Sequence, residues 1–280
     1  MQLSSAPNKI VEAFAINAAP SGGYGGKRTI PVPSQTGITP GAASYNDGFP
    51  PLTMTPLPGG VVMSGLDVNG ILNEATAIDW WMSAGATFQF DSVFAAAVGG
   101  YPKGARLLNA AGTGFWTSII DNNSNNPDTG GVGWVPDRAF ASVYSSAQQT
   151  LGSNLQKVNF NTVEFDAFNL WNQTAGIGGT GGFVAKWAGA YRISGAVYYP
   201  SPQPGLYASQ VWKNGSQGKQ SIQFPQVSSV SLSFPFDVII YCAIGDYLEV
   251  YVNIPAGSNL VGQVGSNENL VYAQAEYLGG

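Results

Sequence analysis

Paired carboxylates are the residues of this sequence whose types and spacing could perform acid–base chemistry. The 280-residue chain has no His and one Cys, Cys242. Ser-His-Asp triads, Cys-His pairs, HExxH zinc sites, internal disulfides and four-cysteine zinc sites are therefore excluded. Two carboxylates suffice for glycoside hydrolysis, and Glu164 with Asp166 and Asp246 with Glu249 are close in sequence. Because the first pair falls at a predicted strand end and Asp246 in a predicted turn, we interpret these acids as solvated surface groups and expect no catalytic residues.

Three further motifs indicate structure rather than a cofactor or metal site. The Gly-rich run that ends at Gly26-Lys27 fails the P-loop pattern, since Ser21 stands where the first Gly belongs and Arg28 where Ser or Thr is needed. The stretch Asp121-Asn122-Asn123 starts like a calcium loop but lacks the later Gly and Glu of an EF-hand, so we predict a turn. Cys242 lies in an apolar run and is predicted to be a small buried residue. The sequence therefore predicts no cofactor and no metal.

Tyr101, Trp116 and Trp134 are the first group of candidate binding residues. Their arrangement is similar to the aromatic platform of small chitin-binding modules, on which sugar rings stack. Alternatively, the three rings form the core of a unit that has few other large side chains. The sequence leaves both interpretations open.

Trp171, Tyr199 and Tyr207 form the second group. They lie beside Gly- and Pro-containing segments in the second half of the chain. Exposed aromatic side chains on loops are the usual anchors of recognition surfaces. We therefore predict that these three residues contact a binding partner, while other aromatic residues nearby pack in the core or in a subunit interface.

Composition and charge narrow the classes of partner. Charged residues make up only 10% of the chain, the net charge is −5 and the basic residues are scattered. Binding driven by nucleic-acid phosphates is therefore disfavoured. The longest apolar run, Val238–Ile244, is far shorter than the roughly 20 residues of a membrane helix. The N-terminus has no charged start followed by an apolar stretch, so we expect a soluble protein made in the cytoplasm without Sec export and without membrane insertion.

The first half of the sequence predicts three successive segments, which together we take as residues 1–136. Residues 1–63 are rich in Gly and Pro and predict an extended arm with little core of its own. Residues 64–85 predict a helix, because Ile71, Ala75, Ile78 and Met82 form an apolar stripe and Ser64 with Asp67 fits a capping box. Residues 86–136 predict a small β unit with a short helix.

Residues 137–280 predict a succession of strands separated by turn residues. We place the strands at 139–146, 158–165, 183–186, 191–199, 206–213, 221–224, 231–242, 247–253 and 270–278. Turns are predicted at Asn214-Gly215-Ser216, Gly245-Asp246 and Ala256-Gly257-Ser258. Many short strands without a convincing helix are typical of a sandwich or jelly roll. Residues 139–158 also fit two heptads of a coiled coil, which is too short a match to decide.

Several spaced stretches of the second half occur together in one known superfamily. They are Val158-Asn159-Phe160, Val163-Glu164-Phe165, Phe183-Val184-Ala185, Gly189–Gly195, Lys213-Asn214-Gly215, Gly245–Val250 and Ala275–Gly279. On these stretches, residues 137–280 resemble the trimeric jelly roll of the complement-subunit and tumour-necrosis-factor head superfamily. The resemblance implies a homotrimer.

A second set of stretches lies in the first half. They are Gly48–Thr53, Ser64–Leu72, Gly99–Ala105, Trp116, Asp121-Asn122-Asn123, Asn126-Pro127 and Gly133-Trp134. On these stretches, residues 1–136 resemble the N-terminal part of tail-fibre proteins from tailed bacteriophages and prophages. In such proteins the N-terminal part attaches to tail or baseplate proteins and the C-terminal head recognises the host.

Together the two resemblances imply a mainly β, trimeric protein with an extended and α+β tail-attachment region (1–136) followed by a C-terminal β-sandwich jelly-roll head (137–280). We expect a non-enzymatic receptor-binding protein of the virion tail that binds a host polysaccharide or pilus. Two alternatives stay open: a tail depolymerase that uses carboxylates, and a purely structural tail-tip subunit.

Overall fold

The computed structural model describes residues 9, 11–19, 26–150, 154–200, 202–224, 231–255 and 270–280. Most of the Gly-rich run that ends at Gly26-Lys27 and the predicted turn at 256–258 lie outside these ranges. The chain forms two compact units, which we call unit 1 (Met1–Gln89) and unit 2 (Phe90–Gly280). From Phe90 onward, the predicted small β unit therefore belongs to the same compact unit as the head.

The described residues of unit 1 include two helices and few buried apolar side chains. Helix α1 spans Pro51–Met54 and helix α2 spans Gly65–Ser83, which confirms the helix predicted at 64–85. The buried apolar residues of its described part are Ala13, Ile30, Ala42 and Ala43. Few apolar side chains are therefore buried in this described part, and the extended arm at residues 1–63 stays a prediction.

The start of α2 differs from the predicted capping box. Ser64 occupies the N-cap position, but its side chain makes no capping hydrogen bond. Asp67 is instead buried, and its Oδ2 accepts hydrogen bonds from the Ala43 N–H and the Arg28 guanidinium, both at 2.7 Å. The Asp67 carboxylate thus binds a buried backbone N–H and a guanidinium, and it does not cap the helix terminus. The predicted apolar stripe also faces outward, since Ile78 and Met82 are exposed.

The first part of unit 2 is a small module with its own core. Helix α3 spans Ser92–Val98, and Asp91 Oδ1 caps it by accepting from the Val93 and Phe94 amides at 2.8 and 3.0 Å. Strands β1 (Arg106–Leu108), β2 (Phe115–Ser118) and β3 (Trp134–Pro136) form an antiparallel sheet in the order β1-β2-β3. The core of this module consists of Ala95, Tyr101, Leu107, Trp116 and Trp134.

The remainder of unit 2 is an antiparallel sandwich of two sheets. Its strands are β4 (Ala139–Tyr144), β5 (Asn154–Lys157), β6 (Thr162–Asp166), β7 (Trp171–Asn172), β8 (Gly182–Val184), β9 (Gly189–Tyr199), β10 (Tyr207–Lys213), β11 (Ser216–Gln223), β12 (Leu232–Cys242), β13 (Tyr247–Ile254) and β14 (Tyr272–Gly279). The first sheet has the order β11-β10-β13-β8-β7, with β5 also paired to β13, and the second has the order β12-β9-β14-β4-β6.

The strand order defines a jelly roll. Strand β10 pairs with β13, and β9 pairs with β14, so the chain from β9 to β14 is a nested antiparallel ribbon whose strands are shared between the two sheets. Alternating residues of each sheet, such as Ile193 and Val197 from one and Val250 and Val252 from the other, fill the space between them. The mainly β fold with a jelly-roll head is thus as predicted.

Two local predictions in the head are wrong. The strand predicted at 158–165 begins too early, because β5 ends at Lys157 in the first sheet and β6 begins only at Thr162 in the second. Between them the chain crosses the sandwich, so Val158 and Phe160 are both buried without belonging to a strand. The coiled-coil alternative for 139–158 fails because residues 139–144 form strand β4 in the middle of the head. Within the part of the chain that the structure describes, no helix is long and apolar enough to cross a membrane.

Candidate functional site

Tyr199 and Tyr207 lie inside the head and not on its surface. Their side chains are only 1% and 2% exposed, and their ring centroids are 4.9 Å apart. Both rings also pack against Phe234, and burial raises the pKa of the Tyr199 hydroxyl. The exposure predicted for these two residues is wrong, because their strands direct both rings inward between the sheets.

Trp171 is also placed differently from the prediction. It lies in strand β7 and not in a loop, and its ring packs against Phe160 and Phe183 with centroids 6.1 and 5.0 Å away. The indole Nε1 donates to Gln173 Oε1 at 3.0 Å. The partly buried ring therefore covers the edge of the head core.

The small module has the aromatic core that was one of the two interpretations of Tyr101, Trp116 and Trp134. All three are buried. Tyr101 and Trp134 meet edge to face at 5.8 Å, and Trp134 Nε1 donates to the Asn125 carbonyl at 2.8 Å. Tyr101 thus faces inward, whereas Trp116 and Trp134 also line a surface groove.

That groove is on the surface of unit 2 and has a volume of about 1170 Å³. It lies between the small module and the head. Three rings from the two sides meet in it: Trp116 is 5.9 Å from Phe168 and 6.4 Å from Trp187, and Phe168 is 5.8 Å from Trp187. Phe168 and Trp187 pack against both cores. We call this the aromatic groove.

Further rings widen the aromatic groove toward solvent. Phe140 and Phe165 lie on the outer side of the second sheet, with centroids 6.2 Å apart and planes 30° apart, and Phe165 is 50% exposed. On the module side, the guanidinium of Arg106 lies 4.3 Å from the centroid of Phe115. The groove thus offers ring faces on two walls.

Polar and charged side chains surround these rings. Asp128, Asp137, Arg138, Lys186 and Asn169 all line the groove. Asp128 Oδ1 accepts from Trp116 Nε1 at 2.9 Å, and Asp137 Oδ2 accepts from the Arg106 guanidinium at 2.6 Å. Two acids and two bases among the lining residues leave the groove without a strong charge of either sign.

The first predicted carboxylate pair has structural contacts. Glu164 accepts from Ser142 Oγ at 2.7 Å. The two oxygens of Asp166 accept from the Leu170 and Trp171 amides at 2.8 and 2.7 Å. Asp166 therefore holds the chain as it enters β7, and Glu164 and Asp166 do not line the aromatic groove.

Of the second predicted carboxylate pair, Asp246 and Glu249, one residue is not the surface acid that was predicted. Hydrogen bonds from Asn214 and from the Ala243 amide, together with Lys213, hold the pKa of Asp246 below its usual value. Glu249, however, is not a surface acid: its side chain is 0% exposed and lies 2.5 Å from Lys157 Nζ. The segment between β7 and β8 covers it, and the Ile177 amide donates to Glu249 Oε1 at 2.9 Å.

The remaining predicted motifs behave as structural elements. Asn123 is buried, and its Oδ1 accepts from the Asn125 amide at 3.2 Å, which is the side-chain turn expected of this loop. Cys242 is buried, as predicted, and desolvation raises the pKa of its thiol to about 11. Among the described residues, no cluster of three or more Asp, Glu or Cys side chains could hold a metal ion.

Comparison with known proteins gives structural similarity only. No protein-family model and no curated protein sequence matches the chain. Murine APRIL at pH 5.0 is similar over 50% of this chain and 99% of its own, with 11% identity and a TM-score of 0.38. The globular domain of zebrafish complement 1qA protein is similar over 49% and 94%, with 20% identity and a TM-score of 0.32. At these low scores, the jelly-roll assignment rests on the strand order given above.

Sequence reasoning missed the aromatic groove as a site. Trp187 and Phe168 were visible as aromatic residues in predicted loops, but their partner Trp116 is more than 50 positions earlier in the chain. Nothing local in the sequence indicates that the small module packs against the head. The signal that was available is the presence of Trp and Phe beside charged residues at Phe165–Phe168 and Lys186-Trp187, together with the adjacent rings of Phe115-Trp116.

Proposed function

We propose that this chain is the receptor-binding protein, or tail fibre, of a tailed bacteriophage, a prophage or a phage-derived particle. In this proposal it is made in the host cytoplasm and resides in the tail of the virion. Its N-terminal region docks to tail or baseplate proteins, and its jelly-roll head contacts a polysaccharide or pilus on the host surface. The chain acts as a homotrimer and has no catalytic activity.

The observation that carries the proposal is the apolar surface of unit 1. Besides the four buried apolar residues of its described part, this unit has several large apolar side chains that are at least 67% exposed: Val11, Ile38, Met54, Leu57 and Val62. Soluble proteins rarely expose this much apolar surface unless a partner covers it. An attachment arm that becomes buried in a larger assembly accounts for both the small core and the exposed side chains.

The head contributes the second part of the proposal. The aromatic groove lies on the surface of the same compact unit as the jelly roll, so a rigid scaffold presents it. Three copies of a weak site on one particle would raise the apparent affinity about 10²–10⁴-fold if they engage one cell together. A trimeric head therefore suits adhesion through a site of modest intrinsic affinity.

An adsorption assay tests the proposal. Particles whose genome encodes this chain are mixed with host cells that have been preincubated with the purified full-length protein, and unadsorbed particles are counted. We expect the protein at micromolar concentration to slow adsorption, and heat-unfolded protein to have no effect. Release of reducing ends from host polysaccharide would identify a depolymerase instead. Antibody labelling of the particle tail without competition for adsorption would identify a structural subunit.

A further inference from the structure

We infer that the aromatic groove binds a neutral oligosaccharide chain. This inference rests on the proposed function for its biological role, since it names the class of host receptor. The binding itself is a property of the groove and can be measured without the particle.

The size of the groove points to an extended ligand. Its volume of about 1170 Å³ exceeds the roughly 300–1,000 Å³ of sites that hold one small molecule. Lining residues come from the module on one side, including Phe115 and Asp128, and from the head on the other, including Phe165 and Lys186. A chain of several sugar units would contact both sides at once.

The distribution of side chains fits sugar rings. A pyranose has apolar C–H faces and a rim of hydroxyl groups, so it requires aromatic faces with hydrogen-bonding groups around them. The rings of Phe140 and Phe165, whose planes are tilted by 30° to each other, provide such faces. Asn169 and Lys186, both exposed at the same groove, provide donors for hydroxyl oxygens.

The charge of the groove favours a neutral ligand. Asp128 and Asp137 are opposed by Arg138 and Lys186, and the two acids are already bonded to Trp116 and Arg106. An anionic chain would meet two carboxylates, and a cationic one would meet two bases. A neutral chain requires no compensation of charge, and the low charge of the whole sequence agrees with this choice.

The test uses the full-length protein and two matched variants. Phe165→Ala removes a ring that is 50% exposed in the groove, and Phe94→Ala removes a ring of the same exposure on helix α3, outside the groove. The probes are a panel of neutral linear oligosaccharides, including tetramers of glucose and of N-acetylglucosamine, with an oligogalacturonate as the acidic comparison. Binding is followed by calorimetry and by the indole N–H signals of Trp116 and Trp187, assigned with Trp→Phe variants.

We expect at least one neutral oligosaccharide to bind and to shift the Trp116 or Trp187 signal, and the oligogalacturonate to bind more weakly. Phe165→Ala should lower the affinity about tenfold or more, as expected for an aromatic anchor, whereas Phe94→Ala should change it less than about twofold. Circular dichroism and molecular mass confirm that both variants keep their fold and assembly. The inference is overturned if no neutral oligosaccharide binds at millimolar concentration, if Phe165→Ala binds as the parent does, or if the oligogalacturonate binds more tightly than every neutral oligosaccharide.

The outcomes also separate this inference from the proposed function. If the protein blocks adsorption and Phe165→Ala blocks it equally well, the receptor-binding role stands and the groove is not its site. If an oligosaccharide binds in the groove but the protein does not affect adsorption, the saccharide site stands and the role in host attachment is wrong.

Discussion

At the scale of single residues, the acids that suggested hydrolytic chemistry hold the fold together. Glu249 is the clearest case, since its carboxylate is buried under the segment between β7 and β8 and pairs with Lys157. A side chain at Gly176 would collide with it, because an added Cβ would lie 2.3 Å from Glu249 Oε1. The second oxygen, Oε2, is buried and has no hydrogen-bond partner among the described residues. Lys157 and Glu249 therefore form a buried structural ion pair.

This pair gives a prediction for stability. Lys157→Met leaves the carboxylate of Glu249 buried without its counter-charge, so the free energy of unfolding should fall by about 3–5 kcal/mol. The double variant Lys157→Met/Glu249→Leu removes both charges and should recover most of that loss. Urea unfolding of the full chain measures both. Lys219→Met on the exposed strand β11 is the control and should stay within about 0.5 kcal/mol. A double variant as unstable as Lys157→Met would contradict this account.

At the scale of elements, helix α2 is positioned by close backbone packing and not by its apolar stripe. The Arg28 amide donates to the Leu66 carbonyl at 3.1 Å, and the Arg28 side chain reaches Asp67. Gly70 allows this approach, because a Cβ there would lie only 2.0 Å from the Arg28 carbonyl oxygen. The segment around Arg28 therefore fits against α2 only at a glycine.

Two glycines of the same helix make a matched test of this packing. Gly70→Ala should destabilise α2 by about 1–3 kcal/mol, as overpacking does elsewhere, although alanine is the better helix former. Gly65→Ala meets no atom within 4 Å and should leave stability unchanged or slightly raised. Hydrogen exchange of the α2 amides measures the difference. Equal protection in the two variants would show that the contact between Arg28 and the helix does not position α2.

The strands of the head show which features the sequence could predict and which it could not. The hairpin between β10 and β11 was predictable, because Asn214-Gly215 takes positive φ at both positions, +50° and +74°, as a tight hairpin turn requires. The alternating apolar residues of β13, Leu248, Val250, Val252 and Ile254, likewise favoured a strand, and all four lie in the head core. The inward direction of Tyr199 and the burial of Glu249 were not predictable. The direction of Tyr199 depends on the opposite sheet, and the burial of Glu249 depends on the segment between β7 and β8. Both segments are distant in sequence from the residue that they cover.

At the scale of the whole molecule, the two units differ in how far they bury their apolar side chains. Unit 2 fills two cores and joins them through Phe168 and Trp187, whereas unit 1 leaves most of its large apolar side chains exposed. Among the described residues, strand β12 lies at the end of the second sheet and pairs with a strand, β9, on one side only. Its outer face carries Ile239 and Tyr241, both exposed. Native proteins seldom leave a long apolar edge strand uncovered, so we expect other copies of the chain to cover it.

The last prediction concerns this edge. If β12 lies in the interface of a homotrimer, lysines on its outer face would bring like charges together in a desolvated contact, which costs far more than exposed charges do. The variant Ile239→Lys/Tyr241→Lys should therefore reduce the mass in solution at micromolar concentration from three chains to one. The control Val132→Lys changes an equally apolar, exposed residue in the loop before β3 and should stay trimeric. Light scattering or native mass spectrometry measures all three proteins. A parent protein that is monomeric at this concentration would contradict the trimer. A double variant that stays trimeric would contradict only the prediction that β12 lies in the trimer interface, because the outer face of the sheet would then remain open to solvent in the assembly.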